Sequence, residues 1–256
     1  MTDERYSRPA AQLLPEEAAR RWTALLRPCL RLRRATEGER TVAVLGGTPD
    51  LPAGTGWPES PDAGPLSFVA SVRCGTPVFA GLPPTGTLLF FYADDPEAVA
   101  AARVLYIPEG TPVSPAPPPP GLEVSPPVEL TAEAEESAPD LWLPGSREAL
   151  LGDADRPWPH PRETPAELRL FLRAFARLRT RIGHQLGGHP VPVQGPVEYE
   201  VADGDQDTGR WLLLAQFDSD TDAGTSWADG GTLYWLIRPE DLTAHRFDRA
   251  RFTVQC

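Results

Sequence analysis

A short pattern of glycine turns occurs twice along the chain, and this internal repeat limits the possible folds more than any other feature. A Leu-Gly-Gly turn at residues 45–47 recurs at 186–188, so the two copies start 141 residues apart. A Gly-Thr-Leu segment at 86–88 recurs at 231–233, a spacing of 145 residues. The shared order and near-constant spacing predict two related structural units within one chain.

Apolar runs of strand length fill much of the chain and are separated by clusters of glycine and proline. Two amphipathic helices are predicted as well, at 15–27 and at 165–182, where Thr164 and Glu167 match a capping box. We therefore predict a single α+β domain over residues 1–256, built from two related β-rich repeats with one packing helix each. The predicted strands cover residues 29–33, 41–45, 66–72, 87–92, 104–107, 211–217, 232–237 and 252–255.

The predicted boundaries place the first repeat at about residues 15–107 and the second at about 165–256. After the first repeat, a proline-rich stretch at about 108–128 contains four consecutive prolines at 117–120. Proline has no backbone N–H to donate to a neighbouring strand. We therefore expect this stretch to be an extended surface loop rather than a central strand.

The charge of the chain limits its partners. It has 24 basic and 36 acidic residues and a net charge of −12. This balance argues against binding to nucleic acid or to an anionic membrane surface, because both need many cationic residues. It is compatible with a basic protein partner, and equally with a role in solubility alone. Every Lys or Arg position is arginine, which excludes a lysine Schiff base and a P-loop lysine.

The cysteines and the absence of long apolar runs indicate a compartment. Cys29, Cys74 and Cys256 are far apart and form no Cys-x-x-Cys pair, as is typical of a reducing environment. The sequence contains no apolar core of a signal peptide and no run of about 18 apolar residues that would span a membrane. The expected location is the cytoplasm.

An acidic loop near the C-terminus is the best candidate for a metal site. Asp218, Asp220, Asp222 and Asp229 stand at positions 1, 3, 5 and 12 of a loop that imitates a calcium-binding loop. However, Ala223 occupies position 6, where the turn of a calcium loop needs glycine, and predicted strands rather than helices flank the loop. The loop is therefore either a calcium site or a solvated turn. A weaker cluster consists of Asp203, Asp205 and Asp207.

Histidine, glutamine and tryptophan residues beside the glycine turns are the remaining candidates. His184 and Gln194 flank the second Gly-Gly turn with Gln185 and His189, where two histidines and a carboxylate could bind zinc. Trp57 and Trp227 lie beside turns and are either core residues or the rim of a cleft between the halves. The sequence has no Gly-x-Ser-x-Gly elbow, and no serine has an evident histidine partner, so a hydrolase triad is not indicated.

Six short segments occur in a fixed order along the chain: LGGTPDLPAGTGWPESPDAGPLSFVA (45–70), LPPTGTLLFFY (82–92), HQLGGHPVPVQG (184–195), WLLLAQFDSD (211–220), WADGGTLYWLI (227–237) and the terminal FTVQC. Together these segments resemble the YwqG-like family. Ser71, which directly follows the first segment, stands where the family usually has glutamine. The resemblance implies a two-repeat α+β fold and no particular activity, because the family is one of proteins of unknown function.

Two functions remain open at this point. The first is a non-enzymatic binding or regulatory protein, for example an inhibitor or immunity-type protein that captures a basic partner without a cofactor. Its acidic patch would come from residues 129–140, 203–207 and 218–229. The alternative is a metal-dependent enzyme that uses calcium or zinc between the repeats, with Asp218, Asp220, Asp229 and His184 as ligands.

Overall fold

A computed structural model describes residues 4–75, 81–93, 101–179, 183–202, 210–227 and 229–256, and most of these residues belong to strands or helices. The strands are β1 (Arg27–Arg34), β2 (Ala43–Leu45), β3 (Asp50–Pro52), β4 (Glu59–Ser60), β5 (Gly64–Pro65), β6 (Ser67–Arg73), β7 (Thr87–Tyr92), β8 (Ala102–Ile107), β9 (Val113–Pro115), β10 (Val128–Ser137), β11 (Gln185–Leu186), β12 (Leu212–Asp218), β13 (Thr232–Ile237) and β14 (Arg251–Gln255). The helices are α1 (Ser7–Leu13), α2 (Glu16–Thr23), α3 (Pro144–Leu151), α4 (Ala166–Leu178), α5 (Val197–Val201) and α6 (Pro239–Thr243).

One antiparallel sheet of ten strands organises the molecule, in the order β14-β13-β12-β11-β1-β10-β2-β6-β7-β8. The central pair, β1 and β10, is in register over its whole length, from Arg27 opposite Ser137 to Arg34 opposite Leu130. Two small two-stranded sheets, β3-β9 and β4-β5, lie outside it. Within the predicted proline-rich loop, residues 113–115 form strand β9, which pairs with β3 at the surface of the main sheet's first half. The mixed α and β content predicted from the sequence is confirmed.

The strand order is mirrored about the central pair. Strands β2, β6, β7 and β8 follow one another on one side, and β11, β12, β13 and β14 do so on the other. Each side carries a register shift between its second and third strands, between Phe68 and Ala70 on one side and between Leu213 and Ala215 on the other. A two-repeat fold would have these properties. Whether the two halves superpose remains a prediction.

The inner face of the sheet curves around a core made by both halves. The ring of Phe90 on β7 lies 5.4 Å from that of Phe217 on β12 and 5.2 Å from that of Trp235 on β13. Tyr92 lies 5.9 Å from Phe252 on β14. These distances require the two ends of the sheet to curl towards each other, which gives a nearly closed barrel. Its interior is filled by aromatic and branched side chains.

Strand β10 was missed by the sequence analysis, which treated residues 129–140 as an acidic stretch. Its glutamates face the arginines that alternate with leucine on β1. The Nε atom of Arg33 lies 2.6 Å from an oxygen of Glu133, and Arg31 lies 3.7 Å from Glu135. Opposite charges on neighbouring strands stabilise their pairing. The acidic segment is therefore a central strand because its partner strand is basic.

The helices correct the prediction of one packing helix for each repeat. Helices α2 and α4, the two that were predicted, share one apolar core with α1 and α3. The ring of Trp22 lies 5.3 Å from Phe171 and 5.4 Å from Phe175, both on α4. Burial of large aromatic rings favours such a joint core over two separate helix–sheet contacts. Residues 180–182, the predicted end of α4, lie outside the described residues.

The starts of helices α4 and α1 show how each is capped, and α4 differs from its predicted capping box. Thr164 does not cap α4; its hydroxyl donates to the carbonyl of His160, and Pro165 is the N-cap residue. Helix α1 was not predicted, and a carboxylate from the central sheet caps its first turn. One carboxylate oxygen of Glu136 accepts hydrogen bonds from the backbone N–H groups of Tyr6 and Ser7. This contact binds the N-terminal helix to β10.

Candidate functional site

The acidic loop after β12 is organised by its own carboxylates. One oxygen of Asp220 accepts hydrogen bonds from the N–H groups of Asp222 and Ala223 and so caps a short 3-10 turn. An oxygen of Asp218 accepts from the hydroxyl of Thr232 on the neighbouring strand. Asp222 and Asp229 are exposed. Two of the four carboxylates thus stabilise the turn instead of facing a common point.

The predicted metal ligands do not form a metal site in the described part of the chain. Within those residues, no group of three or more His, Cys, Asp or Glu side chains is positioned to hold an ion. Of the proposed set, His184 contacts the backbone N–H of Asp218 and lies near the carboxylate of Asp220, and Asp229 lies in the following loop. The second acidic cluster, Asp203–Asp205–Asp207, lies outside the described residues.

His184 is buried beside this loop. Its Nδ1 atom accepts a hydrogen bond from the N–H of Asp218 at 3.2 Å, so the proton of the neutral ring lies on Nε2. The Nε2 atom lies 3.6 Å from an oxygen of Asp220. Burial lowers the pKa of His184, and the charges of Asp220 and Asp218 offset part of that effect. The imidazole is therefore a neutral group with its N–H facing a carboxylate.

A polar cleft of about 350 Å³ adjoins His184 and contains charges of both signs. Arg31, Arg33 and Arg34 line it with Glu133 and Glu135. Most of these charges already have partners in the β1–β10 ion pairs. The cleft therefore has little uncompensated charge with which to bind a ligand.

The other predicted residues near the second Gly-Gly turn have structural roles. His189 is buried and its Nε2 atom lies 2.7 Å from the carbonyl oxygen of Leu25. Burial, with the nearby charge of Arg27, lowers the pKa of His189 to about 3. The backbone N–H of Gln194 donates to the side chain of Gln255 on the last strand. His184, His189 and Gln194 therefore do not form the zinc site that was considered.

Trp57 and Trp227 do not rim a common cleft. The indole N–H of Trp57 donates to the carbonyl of Leu66, and its ring packs against Phe91. The ring of Trp227 packs against Tyr92 in the inner core. Phe91 and Tyr92 are successive residues of β7, so their side chains point to opposite faces of the sheet. The two tryptophans are thus on opposite faces.

Most acidic residues of the segment 129–140 do not contribute to the expected acidic patch, because they are paired within the fold. Besides the pairs on β1, Glu135 lies 2.8 Å from Arg5, and Asp140 lies 3.0 Å from Arg179. Glu136 caps α1. These carboxylates are used inside the fold, and the sequence analysis could not see their arginine partners because those are distant in sequence.

An apolar groove of about 440 Å³ was not predicted at all. Its floor is formed by Leu141, Trp158 and Leu172, which pack on the helical core. Trp142 forms one wall, and Arg169, Arg173 and Ala176 line the side of α4 that faces the groove. The only available signal was a pair of tryptophans in an irregular, proline-containing segment. Nothing in the local sequence placed that segment against α4.

Trp142 is held with its side chain outward. Its backbone N–H donates to Asp140 at 2.8 Å, and its carbonyl accepts from Arg147 at 2.9 Å and from the hydroxyl of Tyr199 at 3.3 Å. The residue is nevertheless 60% exposed. A fixed backbone combined with a solvent-facing indole produces a pre-positioned aromatic surface.

The fold and these surfaces define an α+β protein with a curled antiparallel sheet, a joint helical core and an exposed aromatic groove. The chain belongs to the family of the domain of unknown function DUF1963, whose sequence profile matches residues 43–256. The matched region starts at β2 and includes the whole groove. No match was found among curated proteins. No helix among the described residues is long and apolar enough to cross a membrane.

Proposed function

We propose that this protein is a binding protein that holds an apolar segment of another protein, with acidic side chains beside it, in the groove between Trp142 and α4. The single observation that carries this proposal is the exposed, backbone-anchored indole of Trp142. Tryptophan and arginine are the side chains most often found to dominate binding energy at protein interfaces. Both types line this groove.

The charges of the groove support an acidic occupant. Among the described residues that line the groove, Arg169 and Arg173 are the charged ones, and both are exposed. Neither side chain has an ion pair or hydrogen bond to another described residue. Arginine retains its charge at any physiological pH and binds carboxylates through paired N–H groups. An occupant with Asp or Glu next to its apolar residues would satisfy both side chains.

This proposal predicts an acidic partner segment, whereas the net charge of the chain favoured a basic partner. A basic partner remains a prediction, and its support is reduced to the exposed residues of the 218–229 loop, because the glutamates of β10 are paired. The local groove is basic although the whole chain is acidic. At contact distance, neighbouring charges dominate over a net charge that salt screens.

The relationship to YwqG-like proteins and the two-repeat arrangement are also part of this proposal. The mirrored strand order and the equivalent register shifts support a duplicated unit. The groove lies outside the mirrored strands, beside α4. In this view, the duplicated sheet is the scaffold, and the segment between β10 and α4 supplies the binding surface.

Selection of peptides from a random displayed library on the full-length protein tests the proposal. We expect enriched sequences with two or more apolar residues flanked by Asp or Glu. Trp142→Ala should weaken their binding roughly 30-fold, as for an interface residue worth about 2 kcal/mol. Leu170→Ala is the matched control, because Leu170 is an exposed apolar residue of α4 that does not line the groove.

Two results would contradict the proposal. One is the enrichment of basic peptides whose binding Trp142→Ala leaves unchanged. The other is a dimer, seen by light scattering, that dissociates in Trp142→Ala, because the occupant would then be a second copy of the chain. A normal melting temperature of the variant would show that the groove and not the fold was affected.

A further inference from the structure

A buried carboxyl lies next to the residues that hold Trp142. Glu198, the second residue of α5, is only 4% exposed. The next residue, Tyr199, is 46% exposed and donates its hydroxyl to the carbonyl of Trp142. Helix α5 thus carries two adjacent residues, one in the interior and one at the wall of the groove. A displacement of Glu198 is therefore passed directly to a contact of Trp142.

A second contact of Trp142 leads to the same carboxyl. Asp140 accepts the backbone N–H of Trp142 with one carboxylate oxygen, and its other oxygen lies 3.0 Å from Arg179. Asp140 is buried, so this ion pair is shielded from solvent. The charges of Asp140 and Arg179 both act on Glu198. Two of the three partners that fix the backbone of Trp142 are therefore coupled to one buried titratable group.

Arg179 has one donor group to spare. Its Nη1 atom faces Asp140, whereas its Nη2 atom is buried and has no hydrogen-bond partner among the described residues. A buried donor without a partner costs free energy, and an ionised carboxylate is the strongest acceptor that it could gain. Glu198 has no ion pair in the described part of the chain. An ionised Glu198 would therefore compete with Asp140 for Arg179.

Two further groups near Glu198 keep one charge state through neutral pH. Arg27 on β1 acts on Glu198 as a cation, and arginine does not lose its charge in this range. Burial lowers the pKa of His189 to about 3, so this imidazole is neutral. By contrast, burial raises the pKa of Glu198 to about 7.

The strands that pack against α5 are β13 and β14, and their titratable side chains are Tyr234 and Arg251. Burial raises the pKa of Tyr234, so its hydroxyl stays protonated. Arg251 is an exposed arginine. Glu200, the other carboxylate near the middle of α5, accepts a hydrogen bond from Gln255 on β14. Neither strand therefore places a group that titrates near neutral pH against the buried carboxyl.

We propose that ionisation of Glu198 releases Trp142 and thereby weakens peptide binding in the groove, which makes the binding depend on pH. This inference rests on the proposed function, because it concerns the same groove. While Glu198 is neutral, Arg179 remains with Asp140, and Trp142 is held at its N–H and at its carbonyl. When Glu198 loses its proton to solvent, the buried charge attracts Arg179 away from Asp140 and favours an outward shift of α5. Each of these changes removes a support from Trp142.

Fluorine NMR of the full-length protein labelled with 5-fluorotryptophan tests this switch without any peptide. The chain has seven tryptophans, and Trp142→Phe identifies the resonance of Trp142. We expect this resonance to shift with pH in wild type, with a midpoint at about pH 7. In Glu198→Gln it should stay constant between about pH 6 and about pH 8.5, because the amide does not ionise.

Two control variants separate Glu198 from other ionisable groups. Glu123→Gln removes an exposed carboxylate before β10 and should titrate like wild type. His160 is an exposed imidazole in the segment that lines the groove, and histidine is the side chain that most often changes charge near neutral pH. His160→Gln should also titrate like wild type.

The affinity of a peptide selected on the groove measures the consequence for binding. Between about pH 6 and about pH 8.5, binding should weaken roughly tenfold in wild type and less than about twofold in Glu198→Gln. The acidic side chains of the peptide and the arginines of the groove keep their charges in this range. The expected loss of affinity therefore reports the state of the protein and not that of the peptide.

The two measurements keep the switch and the proposed function apart. A Trp142 resonance that does not titrate in wild type would overturn the switch even if peptides bind. A titration that persists in Glu198→Gln would do the same, and its loss in His160→Gln would identify the imidazole as the sensor. A titrating resonance with constant peptide affinity would also overturn the proposal. Failure to select any peptide would contradict the proposed function, whereas the fluorine titration would still decide whether Glu198 controls Trp142.

Discussion

The Nε2 atom of His184 lies 3.6 Å from a carboxylate oxygen of Asp220, whose other oxygen caps the turn that follows. One carboxylate thus faces a buried neutral imidazole and also fixes a loop that resembles a calcium site in sequence. This relationship explains why the acidic loop is ordered by its own carboxylates. It also leads to two predictions about the loop.

Replacement of Asp220 should destabilise the protein through the loss of its cap. Asp220→Ala removes the acceptor of two backbone N–H groups and should lower the free energy of unfolding by about 1 kcal/mol. Asp220→Asn keeps an acceptor oxygen and should cost less than about half of that. Urea unfolding of both variants measures the difference. Asp222→Ala, which removes an exposed carboxylate of the same turn, is the control; an equal effect of Asp222→Ala and Asp220→Ala would exclude the capping role.

Calcium should not stabilise the protein. The carboxylates of Asp218 and Asp220 are hydrogen-bonded within the fold, and a metal would have to replace those contacts. We expect the melting temperature to be the same with millimolar calcium as with millimolar magnesium or with a chelator. A ligand at 100 times its Kd would add about 2.7 kcal/mol of stability. A rise of several degrees with calcium, abolished in Asp229→Ala, would restore the metal-site hypothesis.

The second Gly-Gly turn should tolerate no side chain. Gly188 has a φ of +73°, and a Cβ atom at this position would lie 2.3 Å from the hydroxyl of Ser137 and 2.7 Å from the Cβ of Cys29. Gly188→Ala should therefore cost about 3 kcal/mol or more, from backbone strain and overpacking together. Gly54→Ala has a similar φ of +81° in open space and should cost only about 1 kcal/mol. Similar unfolding energies for the two variants would show that the close packing at Gly188 is not important.

Local patterns predicted the elements that bury a regular apolar face. Helix α4 was found because Leu168, Phe171 and Phe175 repeat at helical spacing, and all three are buried. The Gly-Gly turns were found because positive φ is a strong local constraint, and Gly187 and Gly188 have φ values of 65° and 73°. In these cases the physical cause lies within a few residues of the element itself.

The parts that were missed depend on contacts between distant residues. Strand β10 looks like a solvated acidic segment until Glu133 and Glu135 are placed opposite the arginines of β1, about 100 residues earlier. The groove needs Trp142 beside α4, and the irregular segment that positions it has no periodicity. The pattern of one sequence does not show which distant residues contact each other, so the binding surface could not be derived from it.

Glu198 should make the free energy of unfolding depend on pH, and a variant that cannot ionise at this position should lack that dependence. This carboxyl is buried at the start of α5, and burial raises its pKa to about 7. The negative charge of Asp140 also raises the pKa, whereas a backbone hydrogen bond and the charges of Arg179 and Arg27 lower it. The unfolded chain has an ordinary pKa near 4.5 at this position. Because the folded state holds the proton more tightly, the contribution of Glu198 is fully present below about pH 4.5 and is lost as the pH rises towards 7.

Glu198→Gln keeps the shape of the side chain and removes its ionisation. The variant should gain about 2–3 kcal/mol relative to wild type between pH 5 and pH 8, as follows from a shift of about 2.5 pKa units at 1.36 kcal/mol each. His189 acts in the opposite direction, because its pKa of about 3 makes stability fall as the pH drops below about 6.5. This histidine is present in both proteins, so its effect cancels in the difference. Urea unfolding at pH 5 and pH 8 measures the gain. Glu167→Gln, which removes an exposed carboxylate from α4, is the control and should show no gain. A pH-independent difference between Glu198→Gln and wild type would mean that the buried carboxyl titrates normally.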